Sequence, residues 1–457
     1  VPITFDEVSA STYYPKFTFK EIILYPGDWP SNHVLNTLFI KASESVFGIE
    51  PWSVRLPNML AFVFIFWIIY LLAAQYFNKS VALFFLPFAI VFCNPFLLDF
   101  FGLARGYGLS NAFMAGSVFC LLRYTSSFAP RWYFLTVVLS MMAAYANFTL
   151  LLYWVAVQGV LIVALVAGGL AGQIETARIL RILIMTLILA AGFMALCYMP
   201  LYKMQSTNQF MYWSKTGFYT DTLLDQVARF RYGLRYWGIP DFYAADVVLL
   251  LLTITGISVV YKIFTRRLSA IRDPLVVSFL LLLSVWIVNM AQTIILGTPY
   301  LNGRTALSYY VLFAFVLMFL VRDLAEGISW FKKIAVPPII VFFCLHLILA
   351  FNLRSVQEWD FDANTYRVLD YIHKYQKMHP DVKTVDLNTT WIFNPSFSFY
   401  VLTGKVPWLN LIPMQTTIDT ASQTQFYYVM KDDVSALRQC YTPVLVFDNG
   451  PWLMKKK

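Results

Sequence analysis

The sequence predicts an all-α polytopic membrane protein that carries a small α/β domain at its C-terminal end. Three observations predict it. Of 457 residues, 59% are hydrophobic and 13% charged, and the mean hydropathy is +0.63, whereas a soluble domain is about a quarter charged. Apolar runs approaching the roughly 20 residues needed to cross a bilayer recur along the chain. Basic residues collect in alternate loops between those runs, the positive-inside pattern. The same composition excludes a disordered chain, which is polar and poor in aromatics; here there are 28 Tyr, 41 Phe and 13 Trp.

About ten spans are legible, at 54–77, 81–98, 104–124, 131–146, 148–169, 178–200, 245–264, 274–296, 305–322 and 334–352. Residues 131–169 are too long for one crossing, and AYANFT at 144–149 offers a polar break at Asn147. Two spans there also give a consistent topology. With Val1–Ser53 outside the cytoplasm, the inside loops hold Lys79, Arg123, Arg131, Arg178, Arg181, Lys262, Arg266, Arg267, Arg272, Arg322, Lys332 and Lys333. The short outside loops hold only Arg304, with Arg105 at a helix edge. Merging the two spans inverts every later loop and destroys the bias.

Three segments then lie outside: a first loop 1–53, a long loop 201–244 with an amphipathic stretch at 220–237, and a tail 353–457. The domain division is therefore 1–352 for the membrane part and 353–457 for the tail. In the tail, 363–378 has helical periodicity, and 382–388, 426–430 and 443–449 read as short strands. There is no internal repeat of the kind common in secondary transporters.

The net charge is +9, but the basic residues form no continuous stripe, so nucleic acid is not an expected partner. Four of the five cysteines, Cys93, Cys120, Cys197 and Cys344, fall in apolar runs and Cys440 stands alone. They give neither a disulfide framework nor a metal-binding spacing.

The chain opens with VPITFDEVSA. Asp6 and Glu7 suit a helix N-terminus, where carboxylates favour the dipole. They equally suit acid–base chemistry. Adjacent helical residues diverge by about 100°, so one would face a site while the other orients it. His33, in PSNHVLN, reads as a polar loop residue or a site residue, and Arg55 as an anchor at a helix start. In LLDFFGLARGYGLS, Asp99, Arg105 and Tyr107 interrupt apolar sequence at the outer membrane edge. Polar groups at that depth need partners or a cavity. An Asp99–Arg105 ion pair is one reading, and an arginine facing an anionic headgroup the other. Arg304, in TPYLNGRTALSYY, repeats the theme; its planar fork of donors suits phosphate. Tyr212 and Trp213 in the long loop are placed to stack on a sugar.

Cations on the same side as a carboxylate suggest transfer from a phosphate-linked donor. The carboxylate takes a proton from an acceptor hydroxyl, and the cations stabilise charge on the leaving phosphate. FDE, then NHVLNTLF, FGIEPWSVRLPNMLA and LARGYGLS, in that order, resemble the GT-C glycosyltransferases, nearest to the protein O-mannosyltransferase and lipid A aminoarabinose transferase-like families. The similarity covers mainly residues 1–125, with a weaker echo at 299–316. It implies one more span before Val1 and an extracytoplasmic C-terminal domain. It also implies Asp6 as catalytic base or acceptor-site carboxylate, with Glu7 as its neighbour. His33 falls near the family's second polar position in that loop, where the aminoarabinose transferases carry an acidic–lysine pair. That departure argues against an aminoarabinose substrate. No cofactor is established; a divalent metal is compatible with the family, but its ligands are not identifiable here.

The expected activity is an inverting glycosyltransfer from a polyprenyl-phosphate sugar to an acceptor protein, lipid or glycan. The chain would sit among the lipids of a bacterial inner membrane, with its site facing the periplasm. The alternatives are a non-catalytic subunit of an envelope assembly with the same fold, and a transporter of lipid-linked substrates.

Overall fold

A computed structural model describes residues 1–27, 31–207 and 216–457. The chain divides into two compact units, one of Val1–Thr18, Phe39–Leu56 and Asn352–Lys457, the other of Phe19–Leu38 and Pro57–Phe351. The last segment of the first unit begins at Asn352. The first loop does not stay whole: its two ends group with the tail, and its middle groups with the long helices.

Among the described residues, seven helices are long and apolar enough to cross a membrane: Pro51–Tyr76, Phe148–Leu170, Thr176–Ser206, Asp241–Arg272, Pro274–Leu296, Gly303–Gly327 and Trp330–Ala350. The chain is an integral membrane protein; among the described residues seven helices meet that measure, and the expectation of about ten spans is not confirmed. The other three expected spans are helical but fall short. Val81–Phe92 has only 12 residues and Pro130–Ala146 only 17. Gly106–Ser127 has 22, but it buries Ser110, Asn111 and Ser117 among its apolar residues. The break at Asn147 is present. Asn147 is extended, with φ −155°, and its side chain accepts the amide of Thr149 to start the next helix.

Several basic loop residues are tied to carboxylates within this unit. Lys262 bonds Asp273 at 2.8 Å and also reaches Asp323, while Arg266 bonds Asp273 at 2.8 Å. The stretch expected as one amphipathic helix at 220–237 is instead a wide π-turn Tyr219–Leu224, a short helix Asp225–Arg231 and a 3-10 turn Tyr236–Gly238. Tyr232 ends the short helix in the left-handed region, with φ 53°.

The other unit is built on a five-stranded sheet of β1 Val385–Thr389, β2 Leu409–Leu411, β3 Phe426–Met430, β4 Tyr441–Val446 and β5 Pro451–Lys456, in the order β2-β1-β3-β5-β4. β1 runs parallel to β2 and β3, and the β3–β5 and β5–β4 pairs are antiparallel. Tyr427, Val429, Val434, Leu437, Tyr441 and Met454 form a buried core on this sheet. Two strands escaped the sequence. β2 is three residues long, and β5 carries lysines that read as a polar tail end. One of them, Lys455, lies opposite Phe426 and places its ammonium 4.5 Å from the Tyr375 ring centre, which keeps a charge beside a strand at little cost.

Candidate active site

The segment bearing Asp6 is a single turn of helix, Phe5–Val8, which widens into a π-turn at Ser9–Tyr13. Thr4 and Glu7 close a capping box at its start: the Thr4 amide and hydroxyl both bond Glu7 Oε2, at 2.9 and 3.1 Å. Glu7 is fully buried. Arg55 grips it with two bonds, Nε to Oε1 at 2.8 Å and Nη2 to Oε2 at 2.7 Å. The same guanidinium donates to the carbonyls of Val1 and Pro2. Arg55 is therefore not a helix-start anchor. It is the counter-charge that makes a buried Glu7 tolerable, because a buried carboxylate needs a well-formed partner. Asp6, one position earlier, is only half-buried. The expected divergence of the two side chains is seen as a difference in burial.

Tail residues hold the same segment. Ile3 donates its amide to the Tyr400 hydroxyl at 3.1 Å, and Phe5 donates its amide to Asp362 at 2.7 Å. Asp362 is buried beside Asp6 and Glu7, and burial pushes its carboxyl up to about 7. Asp362 was missed in the sequence. It lies 357 residues from its partner, in a stretch, QEWDFDAN, that reads as a solvated acidic turn.

In the unit of long helices, His33, Arg105, Tyr107 and Arg304 form one cluster. The rings of His33 and Tyr107 meet edge to face at 5.0 Å. Arg304 Nε donates to the Tyr107 hydroxyl at 3.3 Å, and Arg105 Nη1 donates to the Ser31 carbonyl at 3.2 Å. His33 is buried, and it donates a ring hydrogen to the Ala146 carbonyl. Burial first, and then the charges of Arg105 and Arg304, hold its imidazole neutral, well below the usual histidine range. Its Nε2 has no hydrogen-bond partner among the described residues.

The glycines of ARGYGLS make this approach possible. A Cβ on Gly106 would lie 2.1 Å from the Ala146 carbonyl oxygen and 2.8 Å from His33 Cβ. One on Gly108 would lie 2.4 Å from the Phe100 carbonyl oxygen. Two asparagines complete the setting. Asn58 accepts the Leu109 amide at 2.9 Å and donates to Asn36 at 2.8 Å, and Asn36 donates to the Ala104 carbonyl at 3.3 Å. Together they fix the entry to the helix that starts beside Arg105. The signal for them was an asparagine among the leucines of each of the stretches HVLNTLF and RLPNML. Arg304 is fixed from the long loop: Thr222 donates to the Leu301 carbonyl at 2.6 Å, Gln226 donates to the Gly303 carbonyl at 2.8 Å, and Asp225 accepts the Gly303 amide at 2.5 Å.

Asp99 accepts the Tyr232 hydroxyl, at 2.9 and 3.1 Å to its two oxygens. Tyr212 and Trp213 lie outside the described residues. Among the described residues, no group of three His, Cys, Asp or Glu side chains could hold a metal ion.

No family model matches the chain. No curated protein sequence matches it either. Solved structures similar to it include ArnT from Cupriavidus metallidurans bound to undecaprenyl phosphate, at 13% identity, with 99% of this chain and 94% of that chain covered and a TM-score of 0.44. A second is the archaeal oligosaccharyltransferase AglB from Archaeoglobus fulgidus in complex with an inhibitory peptide and a dolichol-phosphate, at 10% identity, with 97% and 70% covered and a TM-score of 0.43. Likeness at this level assigns no residue a role, so the functional reading rests on the chain's own side chains.

Proposed function

We propose that the chain is a membrane glycosyltransferase that takes a sugar from a polyprenyl-phosphate donor and passes it to an acceptor hydroxyl on the extracytoplasmic face. The observation that carries this reading is the cluster of two arginines and a tyrosine around a neutral histidine, in a unit otherwise built of apolar helices. Guanidinium forks match phosphate oxygens and keep their charge at any working pH. Asp6 is the proposed base, half-exposed on a segment braced by Glu7, Arg55 and the tail. It takes the acceptor hydroxyl proton as the oxygen attacks the anomeric carbon. The bond from that carbon to the phosphate oxygen breaks, and polyprenyl phosphate leaves with the electron pair. One displacement inverts the anomeric centre. Arg105 and Arg304 stabilise the leaving charge, and Tyr107 adds a hydroxyl beside Arg304.

The test uses the full chain in lipid nanodiscs with undecaprenyl phosphate as the probe. A charge-assisted hydrogen bond contributes about 1.5–3 kcal/mol, so Arg105→Ala and Arg304→Ala should each weaken binding by about tenfold or more. Conservative Arg→Lys variants should recover part of the loss. Unchanged affinity in both alanine variants would remove the phosphate site. Failure of the wild-type chain to bind the probe would remove the donor class.

A further inference from the structure

Asp362 belongs to the tail, yet it is built into the segment that carries Asp6. It is 1% exposed. Its Oδ2 accepts the Phe5 amide at 2.7 Å and its Oδ1 accepts the Ser396 hydroxyl at 2.6 Å. Its own carbonyl accepts the Thr365 hydroxyl at 2.9 Å, which locks it to the helix Thr365–Met378. Ser396 sits on the helix Asn394–Leu402 with Tyr400, whose hydroxyl holds the Ile3 amide. Trp391 packs edge to face on Phe5, ring centres 5.9 Å apart. The amides of residues 3 and 5 are thus both anchored by tail side chains, and Asp6 follows directly.

A carboxyl buried this deeply normally serves a partner of opposite charge. Here the Glu7 charge is already met by Arg55, and the charged groups that act on Asp362 are Glu7 and Asp6, both of its own sign. From β3, the Tyr428 hydroxyl lies within reach of the Asp362 charge, and Arg367 acts on that same tyrosine.

We infer that Asp362 is a positioning residue for the proposed base: it clamps the backbone ahead of Asp6. This inference rests on the reading of Asp6 as the base. A carboxylate at 362 accepts the Phe5 amide strongly and so fixes the turn ahead of Asp6. A protonated one does neither as well. The group titrates near 7, held up by burial and eased down by the Ser396 hydroxyl and the Phe5 amide. The clamp therefore tightens as pH rises through neutrality and loosens below it.

The test is hydrogen exchange of residues 2–10 in the full chain in nanodiscs, corrected for intrinsic rates, from pH 5.5 to 8.5. Wild-type protection should rise in a step near pH 7. Asp362→Asn, which keeps an acceptor for Phe5 and a donor for Ser396, should show no step. Ser396→Ala removes a bond that favours the carboxylate, so its step should move to higher pH; it also covers failure of the Asn variant to fold. A wild-type profile without a step, or a Ser396→Ala step that stays in place, overturns the inference.

Turnover separates it from the reading beneath it. With undecaprenyl-phosphate hexoses as probes, Asp362→Asn should lower kcat about 3–10-fold at pH 8 and flatten the profile, with KM unchanged. An equal loss at every pH would leave Asp362 a structural residue only, and would overturn the inference while Asp6 stands. Wild-type turnover in Asp6→Asn would overturn both.

Discussion

The two compact units each gather charge at one place, and the signs are opposite. In the sheet-bearing unit the interior groups are carboxylates answered by protein: Glu7 by Arg55 and Thr4, Asp362 by Phe5 and Ser396. In the unit of long helices the buried Asp273 is likewise answered, by Lys262 and Arg266, but around His33 the guanidiniums of Arg105 and Arg304 act on an imidazole held neutral. The first arrangement fixes a backbone. The second concentrates positive potential beside a buried ring, and guanidinium forks suit an anion. A charge that is fully answered by its own chain serves the fold. The cluster around His33 is the one proposed to meet a ligand.

The largest effect that could break this contrast is at Asp6, the one acidic residue of the opening triplet FDE that is not buried away. Asp6→Asn keeps the shape and removes the base. Loss of general-base help costs about 10²–10⁴ in rate. Transfer should nearly vanish while the protein inserts normally and undecaprenyl phosphate affinity stays at the wild-type level. Full activity in this variant would reduce the segment to a helix cap.

Glu7→Gln comes next, and it acts on stability first. It leaves the Arg55 charge half-answered beside a buried amide. Breaking one side of a buried pair costs about 3–5 kcal/mol; the cost here should fall near about 3 kcal/mol, since Arg55 retains its bonds to the carbonyls of Val1 and Pro2. Thermal unfolding in nanodiscs should show it. The rate of the molecules that remain folded should fall less than in Asp6→Asn. A larger rate loss with unchanged stability would exchange the roles of the two acids.

The smallest effect marks the other limit. Lys405 and Glu50 bond at 2.5 Å, but both side chains are well exposed. Exposed pairs are worth about 0–1 kcal/mol, so Lys405→Ala should barely move the unfolding temperature. A shift as large as that of Glu7→Gln would show that exposed and buried pairs in this unit are not distinct classes.

The parts of the molecule that were legible in the sequence are those fixed by local pattern. The break at Asn147 could be read because a polar residue stood in an apolar run longer than one crossing. The strand at 426–430 could be read because FYYVM packs β-favouring residues together, and the structure places it at those residues. The expected spans and the described long helices differ where local pattern and membrane length part company. Val81–Phe92 is apolar enough to read as a span, but Cys93 and Asn94 end it after 12 residues.

At the candidate site, the sequence pointed to His33, Arg105, Tyr107 and Arg304 singly, and the structure gathers them. Periodicity and spacing carry no information about contacts between residues 7 and 55, or 5 and 362. Arg55 was therefore read as an anchor, and Asp362 was not singled out. Such pairings depend on how distant segments pack, and a single chain of letters does not encode that locally.

One detail of the Asn147 break reaches further than the helices it separates. Ala146 is the last residue of its helix, so its carbonyl is one of those left without an intrahelical donor. His33 fills that vacancy. The bond selects a tautomer: with one ring nitrogen committed to Ala146, Nε2 is left bearing a lone pair. An imidazole in this form cannot donate to a phosphate oxygen from Nε2. On the proposed reading, recognition by charge then falls to the arginines, and a group that meets Nε2 must supply the hydrogen itself, as a hydroxyl of a sugar ring does.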